Sequence, residues 1–586
     1  MLFLLFRSPT SDKKIKMAAT TEYNSCGFHA KVLIDDYSQV IQDNSILLIY
    51  ETVFPNHMLE LPSIDMSVLE TLLNNSLRYF IILGYLENTI TMVKGSSALT
   101  SLYYYIDKSN QKICCSNKIS LLRECGIPIR ENKEVIPEFF VSRFVAPPNT
   151  MYKGIFQVAA GQKIKIRFGE ESVKVETYSR YVPHKIQNES VRAGHFSSKL
   201  MKLITENLSK IFDLDENASL LLSGGIDSST LAKIGIRLGM IKRAYSTSYP
   251  FADSRIDTEK QYALTAAKAF GISHKHFQAT IEQFLEAVIH CIAINEAPFQ
   301  WPQTAMLYLL LSQGIPRESK IVISGFGADG MAGGDLFMLK SRIPFMKALA
   351  SLGLSKVCVR VFNLFKKDAS IISKSIKTDF DNPENVIWIF TSYGDEDWVC
   401  RTFGVSKKEI IKGRLNAIQR AIPDLKDHSI FDIICLLDYF EGTETQTIWN
   451  NIAKSVDKTF FYPFEDRQFI ETCFSIPWKI KLKQPKYIMR CIAREIKIPD
   501  FIIDRKKSGF GMEPYMDLWA TPKGVFAPLI RLCREYFSNG EIGELQTCDD
   551  RKAQTLWNII MYSIWRKTMI ENVPVSDIIR SLNLKN

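Results

Sequence analysis

Between residues 31 and 179, short apolar runs rich in β-branched and aromatic residues alternate with polar turns: KVLIDD, SILLIYETVF, YFIILGYL, TITMVKG, LYYYID, KICCS, GIFQVAAGQKIKIRF and VKVETYS. Runs of that length and composition suit pleated, half-buried strands. Helical spacing interrupts them only near residues 67–75 and 135–144. The pattern predicts one α+β domain of stacked sheets over 26–185, behind an N-terminal extension, 1–25. A polar linker, 184–194, follows, and then the rhythm changes. Residues 196–212 predict an amphipathic helix, 218–222 a buried strand, and Ser228 onward a second helix. Residues 243–248 predict the next strand, and DTEKQYALTAAKAFGISHKHFQ alternates helix and strand again. This alternation predicts a second, α/β domain over 195–586, a doubly wound parallel sheet with ligands at the carboxyl ends of its strands.

Composition narrows the classes without choosing among them. A chain of 586 residues exceeds one core, and 46% hydrophobic with 23% charged residues is an ordinary globular balance. The net charge of +10 is spread along the chain, which suits a solvated surface and gives no basic block for nucleic acid. The 12 cysteines include no C-x-x-C pair and there are only 8 histidines, which argues against a zinc site or a disulfide scaffold and for reducing cytoplasm. The opening MLFLLF is too short to span a membrane and no small-residue cleavage site follows it; Met17 offers a second start.

The chemistry concentrates after the first strand of the second domain, in LLLSGGIDSST, Leu220 to Thr230. A strand, two glycines and a helix start make a place where main-chain N–H groups meet an anion. The common phosphate loop with its Lys is absent. Hydroxyls at Ser223, Ser228 and Ser229 and the carboxylate of Asp227 suit Mg²⁺ held against a pyrophosphate, and so cleavage between the α- and β-phosphates of ATP.

SGGIDSS resembles the pyrophosphate loop of the N-type ATP pyrophosphatases, which include asparagine, β-lactam and GMP synthetases and the tRNA-thiolating enzymes. A second motif, IVISGFGADGMAGGD from Ile321 to Asp335, is similar to "SGEGADELFGGY" of asparagine synthetases and "TGYGADIPLGG" of β-lactam synthetases. The resemblance implies ATP and pyrophosphate contacts at Ser223, Gly224, Gly225, Asp227, Ser228, Ser246, Thr247, Ser324, Gly325 and Lys486. It implies Asp227 and Asp329 as Mg²⁺ ligands. A third motif, KYIMR from Lys486 and then IPDFIIDRKKSGFGMEPYMDLW, is similar to "KYLLR" and "LP-x-x-I-x-x-R-x-K-x-GF-x-x-P". It offers Lys507 as the group that steadies the α-phosphate. SVDKTFFYPFEDRQFIE resembles "SVEVRVPFLDKKFLE" and puts Asp457 near the family's Glu. Phe326 departs from the pattern: it stands where relatives have Glu or Tyr, and in β-lactam synthetases that Tyr helps deprotonate the attacking amine.

The first domain resembles the glutaminase-type domain of asparagine synthetases, an N-terminal-nucleophile sandwich, through SLYYYIDKSNQKICCSNKISLL and PPNTMYKGIFQVAAGQKIKI. Cys26-Gly27-Phe28-His29-Ala30 resembles the opening "CGIFA" of that domain. An active member needs a Cys whose own α-amino group serves as base. Cys26 is preceded by further residues even counting from Met17, and elements like "HRGPD" and "NGEIYN" are absent, so the domain is expected to be a scaffold without glutaminase activity. The resemblance as a whole implies a two-step ligase: a carboxylate is adenylated and an amine displaces AMP. With glutamine-holding elements missing, the amine is expected to belong to the substrate, as in β-lactam synthetases and the macrolactam synthetases that close lasso peptides. That would bring a precursor peptide and a processing protease as partners, and neither nucleic acid nor membrane. The alternatives are an asparagine synthetase fed by ammonia or glutamine, and a nucleotide-binding relative without catalysis.

Overall fold

The computed structural model describes residues 2–6, 21–25, 28–33, 38–42, 46–52, 69–331, 382–505 and 515–584, apart from 71, 74–76, 85–87, 97–99, 110–111, 169–172, 184–191, 213–214, 216, 252 and 423. Cys26, Lys507, Gly509 and Phe510 lie outside these residues, as does most of the predicted linker. The first half contains β1 (Leu2–Phe6), β2 (Thr21–Ser25), β3 (Phe28–Leu33), β4 (Ser38–Gln42), β5 (Ile46–Thr52) and β6 (Leu77–Gly84). It continues with β7 (Thr89–Lys94), β8 (Tyr103–Asp107), β9 (Lys112–Ser116), β10 (Ile155–Gln157), β11 (Gln162–Phe168) and β12 (Val173–Arg180). Among the described residues these form two antiparallel sheets of six strands, ordered β10-β8-β9-β1-β3-β2 and β12-β11-β7-β6-β5-β4.

The sheets pack face to face. Ile81, Ile90 and Met92 of one meet Tyr104, Ile113 and Cys115 of the other in a single apolar cluster. Successive strand side chains point to opposite faces, so Tyr103 and Cys114 turn away and pack against the second half. That alternation separates the adjacent thiols, and both are free and buried. The described parts of the expected extension belong to the sandwich itself: β1 lies between β9 and β3, and β2 borders β3. A short unbroken apolar run carries no alternation by which to be read as a strand.

The second half holds β13 (Ser219–Leu221), β14 (Arg243–Thr247), β15 (Ser273–Phe277), β16 (Ile321–Ile323) and β17 (Thr459–Phe461), all parallel, in the order β15-β14-β13-β16-β17. Helices cover both faces. Leu220, Leu222 and Ile323 pack with Leu203 and Leu208 of helix Ala193–Phe212 and Leu231 of helix Ile226–Arg237. Tyr245, Val322 and Phe460 face the other way, toward Phe284 of helix Ile281–Asn295 and Trp449 of the long helix Ile430–Lys454. Strand order reverses between β13 and β16, and in sheets of this type the crevice at that point receives ligands.

The halves are joined through shared core and buried polar ties. Phe139 and Phe140 of helix Ile136–Ser142 pack in one cluster with Leu556 and Ile560 of helix Asp550–Trp565, and Asn558 Nδ2 donates to the Phe140 carbonyl at 2.8 Å. Glu51 accepts from Arg78 of its own half at 3.2 Å and from Lys454 of the other at 2.8 Å. Among the described residues no helix is long and apolar enough to cross a membrane.

Candidate active site

The loop after β13 is shaped by Gly224, whose φ of +71° is left-handed and whose missing Cβ would stand 2.5 Å from the Tyr262 carbonyl oxygen. Gly225 begins helix Ile226–Arg237 without a side-chain cap, and Asp227 sits in that helix's first turn. Ser223 and Ser228 approach each other at 3.2 Å between hydroxyl oxygens, and Ser228 donates to the Gly225 carbonyl at 3.3 Å. The loop after β16 presses onto the same helix start: a Cβ on Gly325 would lie 3.1 Å from the Ser228 nitrogen. Glycine at that point lets the two loops touch, and the second carries Ser324 and, one short turn on, Asp329.

Lys486 joins the two loops. It adopts a left-handed φ of 53° at the start of helix Tyr487–Glu495 and pairs with Asp227 at 2.5 Å and with Asp329. Burial alone would lower its pKa, but Asp227 and Asp329 outweigh burial and raise it above the ordinary lysine value. A cation therefore already bridges the two carboxylates read as Mg²⁺ ligands, and buried Asp227 Oδ1 makes no hydrogen bond among the described residues. The pair fits a divalent ion completed by phosphate oxygens and water, since Mg²⁺ usually takes only one or two protein carboxylates.

At the end of β14, Ser246 lies 3.0 Å from His274 Nε2 and 2.9 Å from His276 Nδ1, while Ser248 lies 3.1 Å from His276 Nε2. Burial lowers His276 to about 4, with Lys260 and His274 adding to the effect, so the imidazole is neutral at pH 7. Thr247 follows on the same strand end. Arg505 covers the Tyr262 ring at 3.9 Å, pairs with Glu259 and donates to the Ser223 carbonyl at 3.1 Å.

Ser223, Asp227, Ser228, Ser246, Thr247, Ser324, Gly325 and Asp329 all line one cavity of about 630 Å³. The cavity is also lined by residues that the sequence pattern did not single out. Arg143, from the first half, has φ 69° and a guanidinium stacked over Tyr393 at 3.2 Å and Trp301 at 3.9 Å. It pairs with Glu441 of the long helix at 2.7 Å, and Glu441 also accepts from the Tyr393 hydroxyl at 2.9 Å. Trp449 and Glu465 also line the cavity, beside Phe326 and Gly327 of the second loop. Nothing local in the sequence marks Arg143 or Tyr393, but Glu465 was visible as a carboxylate in PFED where the family stretch reads PFLD.

Asp457 does not belong to the site. It stands in the turn that enters β17, at the amino end of a strand whose carboxyl end faces the cavity. Its side chain is 69% exposed and pairs with Lys320 on the surface. The two extra residues before Pro463 displace the matching acidic position to the wrong end of the strand. Among the described residues no group of three or more His, Cys, Asp or Glu could hold a metal ion.

The family model for asparagine synthase matches residues 199–565. A protein of Mycobacterium bovis, named as a glutamine-hydrolysing asparagine synthetase, is 22% identical over 228 residues, which cover 39% of this chain and 34% of that protein. A Methanocaldococcus jannaschii protein carrying the same type of name is 23% identical over 296 residues, 48% of this chain and 55% of its own length. The chain thus spans between a third and just over half the length of these curated relatives.

Proposed function

The chain belongs to the asparagine synthase family, and from that premise we propose that it is an ATP-dependent ligase that adenylates a substrate carboxylate and couples it to an amine. One observation carries the reading: Asp227 and Asp329, from two separate loops, converge on Lys486 at the strand-order reversal. A carboxylate oxygen attacks the α-phosphorus, pyrophosphate leaves, and an amine then displaces AMP from the acyl carbon. Ser223, Ser228 and the first amides of helix Ile226–Arg237 hold the departing pyrophosphate, with Lys486 balancing its charge. Mg²⁺, when bound by Asp227 and Asp329, would neutralise further charge as the phosphates separate. Ser246 and Thr247 stand at the adenosine side, and Lys507 is assigned to the α-phosphate. The cavity between the loops holds the reactants in line.

The amine is assigned to the substrate itself, in the manner of β-lactam and lasso-peptide macrolactam synthetases, and the first half is assigned a scaffold role. The support is that Arg143, Trp301 and Tyr393 line the same cavity of about 630 Å³ as Ser223 and Asp227 and offer an acceptor charged and aromatic side chains. A precursor peptide and a processing protease are the partners this reading brings. The names of the relatives favour asparagine synthesis as the second reading.

Mass spectrometry of protein with Mg-ATP, aspartate and either ammonium or glutamine separates the two. Asparagine with stoichiometric AMP would make aspartate the substrate, and success with glutamine would restore a glutaminase role to the first half. ATP binding without asparagine is the expected result. Asp227→Ala should abolish pyrophosphate release supported by any accepted acid; unchanged release would sink the site.

A further inference from the structure

Phe326 removes a proton acceptor from the loop after β16. Its ring is a packing element: it meets Trp449 at 4.7 Å and Tyr462 at 6.2 Å between centroids. The next residue, Gly327, has a φ of +96°, and a Cβ there would run into the carboxyl of Glu465. Glu465 closes the short turn Pro463–Glu465 at the carboxyl end of β17 and occupies the position of Leu in the family's PFLD. One loop has lost an acceptor, and the neighbouring strand end has gained a carboxyl against the same stretch of backbone.

We propose that Glu465 is the general base that takes a proton from the attacking amine, in place of the side chain lost at Phe326. The inference rests on the ligase reading and adds a residue to it. Glu465 is only 4% exposed yet lines the cavity, and its Oε2 makes no hydrogen bond among the described residues. A buried acceptor without a partner is costly unless something comes to meet it, and a substrate ammonium is such a partner. Burial raises the Glu465 carboxyl to about 8, with the Gln446 side chain acting the other way. The groups facing it are Tyr439 and Gln446 of the long helix, Tyr462 just after β17 and Cys473 of helix Arg467–Ser475. Burial raises both tyrosines and the thiol as well, so none of them is charged near pH 8. A base titrating close to working pH transfers protons efficiently.

In the step, the Glu465 carboxylate accepts one ammonium proton, and the freed nitrogen lone pair forms the C–N bond at the acyl carbon. The C–O bond to AMP breaks with its electron pair leaving on the phosphate oxygen. The second nitrogen proton passes to that phosphate or to water, and Glu465 returns its proton to solvent as the amide departs.

The first test needs no substrate. Protein labelled with ¹³C at the glutamate carboxyls is titrated by NMR, with Glu465→Gln and Glu465→Leu for assignment. One resonance titrating near pH 8 and missing from both variants is expected; a Glu465 carboxyl in the ordinary range overturns the proposal. Glu465→Leu restores an apolar side chain of similar size and should fold. The second test uses an acid that supports pyrophosphate–ATP exchange, then offers ammonium or hydroxylamine to the adenylate. Hydroxylamine is largely unprotonated at pH 7 and needs no base. Glu465→Leu should keep exchange and hydroxamate formation within about threefold and lose ammonium coupling by about 10²–10⁴-fold. Adding Phe326→Glu to that variant should restore coupling at least tenfold. Exchange with undiminished coupling in Glu465→Leu overturns the base alone, whereas no exchange by the unmodified protein with any acid overturns the ligase reading and the base with it.

Discussion

The residues that line the cavity fall into two sets built on different plans. Where the proposed reading puts the nucleotide the residues are local: Ser223, Asp227 and Ser228 lie within one loop and one helical turn, and Ser324 to Asp329 within another. Elsewhere in the cavity Arg143, Trp301, Tyr393 and Glu441 come from separate parts of both halves and meet through ring stacking, an ion pair and a hydrogen bond. Phosphate recognition relies on main-chain amides and tight glycines, which demand contiguous residues. Recognition of an acceptor relies on side chains that any element can supply.

The largest effect that would sharpen this comparison is expected from Lys486→Ala. Without the ammonium, Asp227 and Asp329 face each other with no common cation, and the pyrophosphate loses a charge-balancing group. Pyrophosphate release should fall about 10²–10³-fold, the scale for removing a preorganised charge-stabilising donor, while the protein stays folded. Single-turnover measurement with an accepted acid checks it. Release within threefold of the parent would mean that the bridge is structural only.

Arg143→Met tests the other set with a smaller expected effect. It removes the guanidinium from between Trp301 and Tyr393 and leaves Glu441 with the Tyr393 hydroxyl alone. Charge-assisted hydrogen bonds contribute about 1.5–3 kcal/mol, so KM for the amine-bearing acceptor should rise about 10–100-fold. Kd for ATP should not move. A parallel loss of ATP affinity would break the distinction between the sets, because Arg143 comes from the first half and should reach the acceptor alone.

The same contrast governs what could be read from the residues in order. The β13 loop, the β14 strand end and the second glycine loop follow from apolar runs that stop at glycines and hydroxyls, and the structure brings Lys486 to them although it lies far along the chain. The helix after the first loop begins at Ile226, earlier than the expected Ser228, because Gly225 can end the turn without a capping side chain. Asp457 was misread because similarity of a short stretch cannot tell which end of β17 a residue occupies, whereas Glu465 passed unremarked in that very stretch. Arg143 was illegible for a plainer reason. Its role depends on a left-handed backbone at the end of helix Ile136–Ser142 and on aromatic rings supplied by the other half.

The smallest expected effect concerns a buried charge outside the cavity lining. Lys94, at the end of β7, is 1% exposed and its ammonium makes no hydrogen bond among the described residues. Glu444 of the long helix accepts from Gln157 through one oxygen at 2.9 Å, and its other oxygen is buried without a hydrogen bond. Burial lowers Lys94 to about 8, and attraction to Glu444 offsets this only in part. The folded chain therefore binds the Lys94 proton less readily than the unfolded chain. That penalty is complete below pH 8 and fades as pH rises toward the ordinary lysine range. Lys94→Met should stabilise the protein by about 2 kcal/mol at pH 7, since an apolar side chain of similar length replaces a poorly paired buried charge. The gain should shrink at pH 9.5, which denaturant midpoints at the two pH values would show. Destabilisation at pH 7 would mean that Lys94 and Glu444 act as a working pair, and the polar contacts of the second set would then extend beyond the cavity lining.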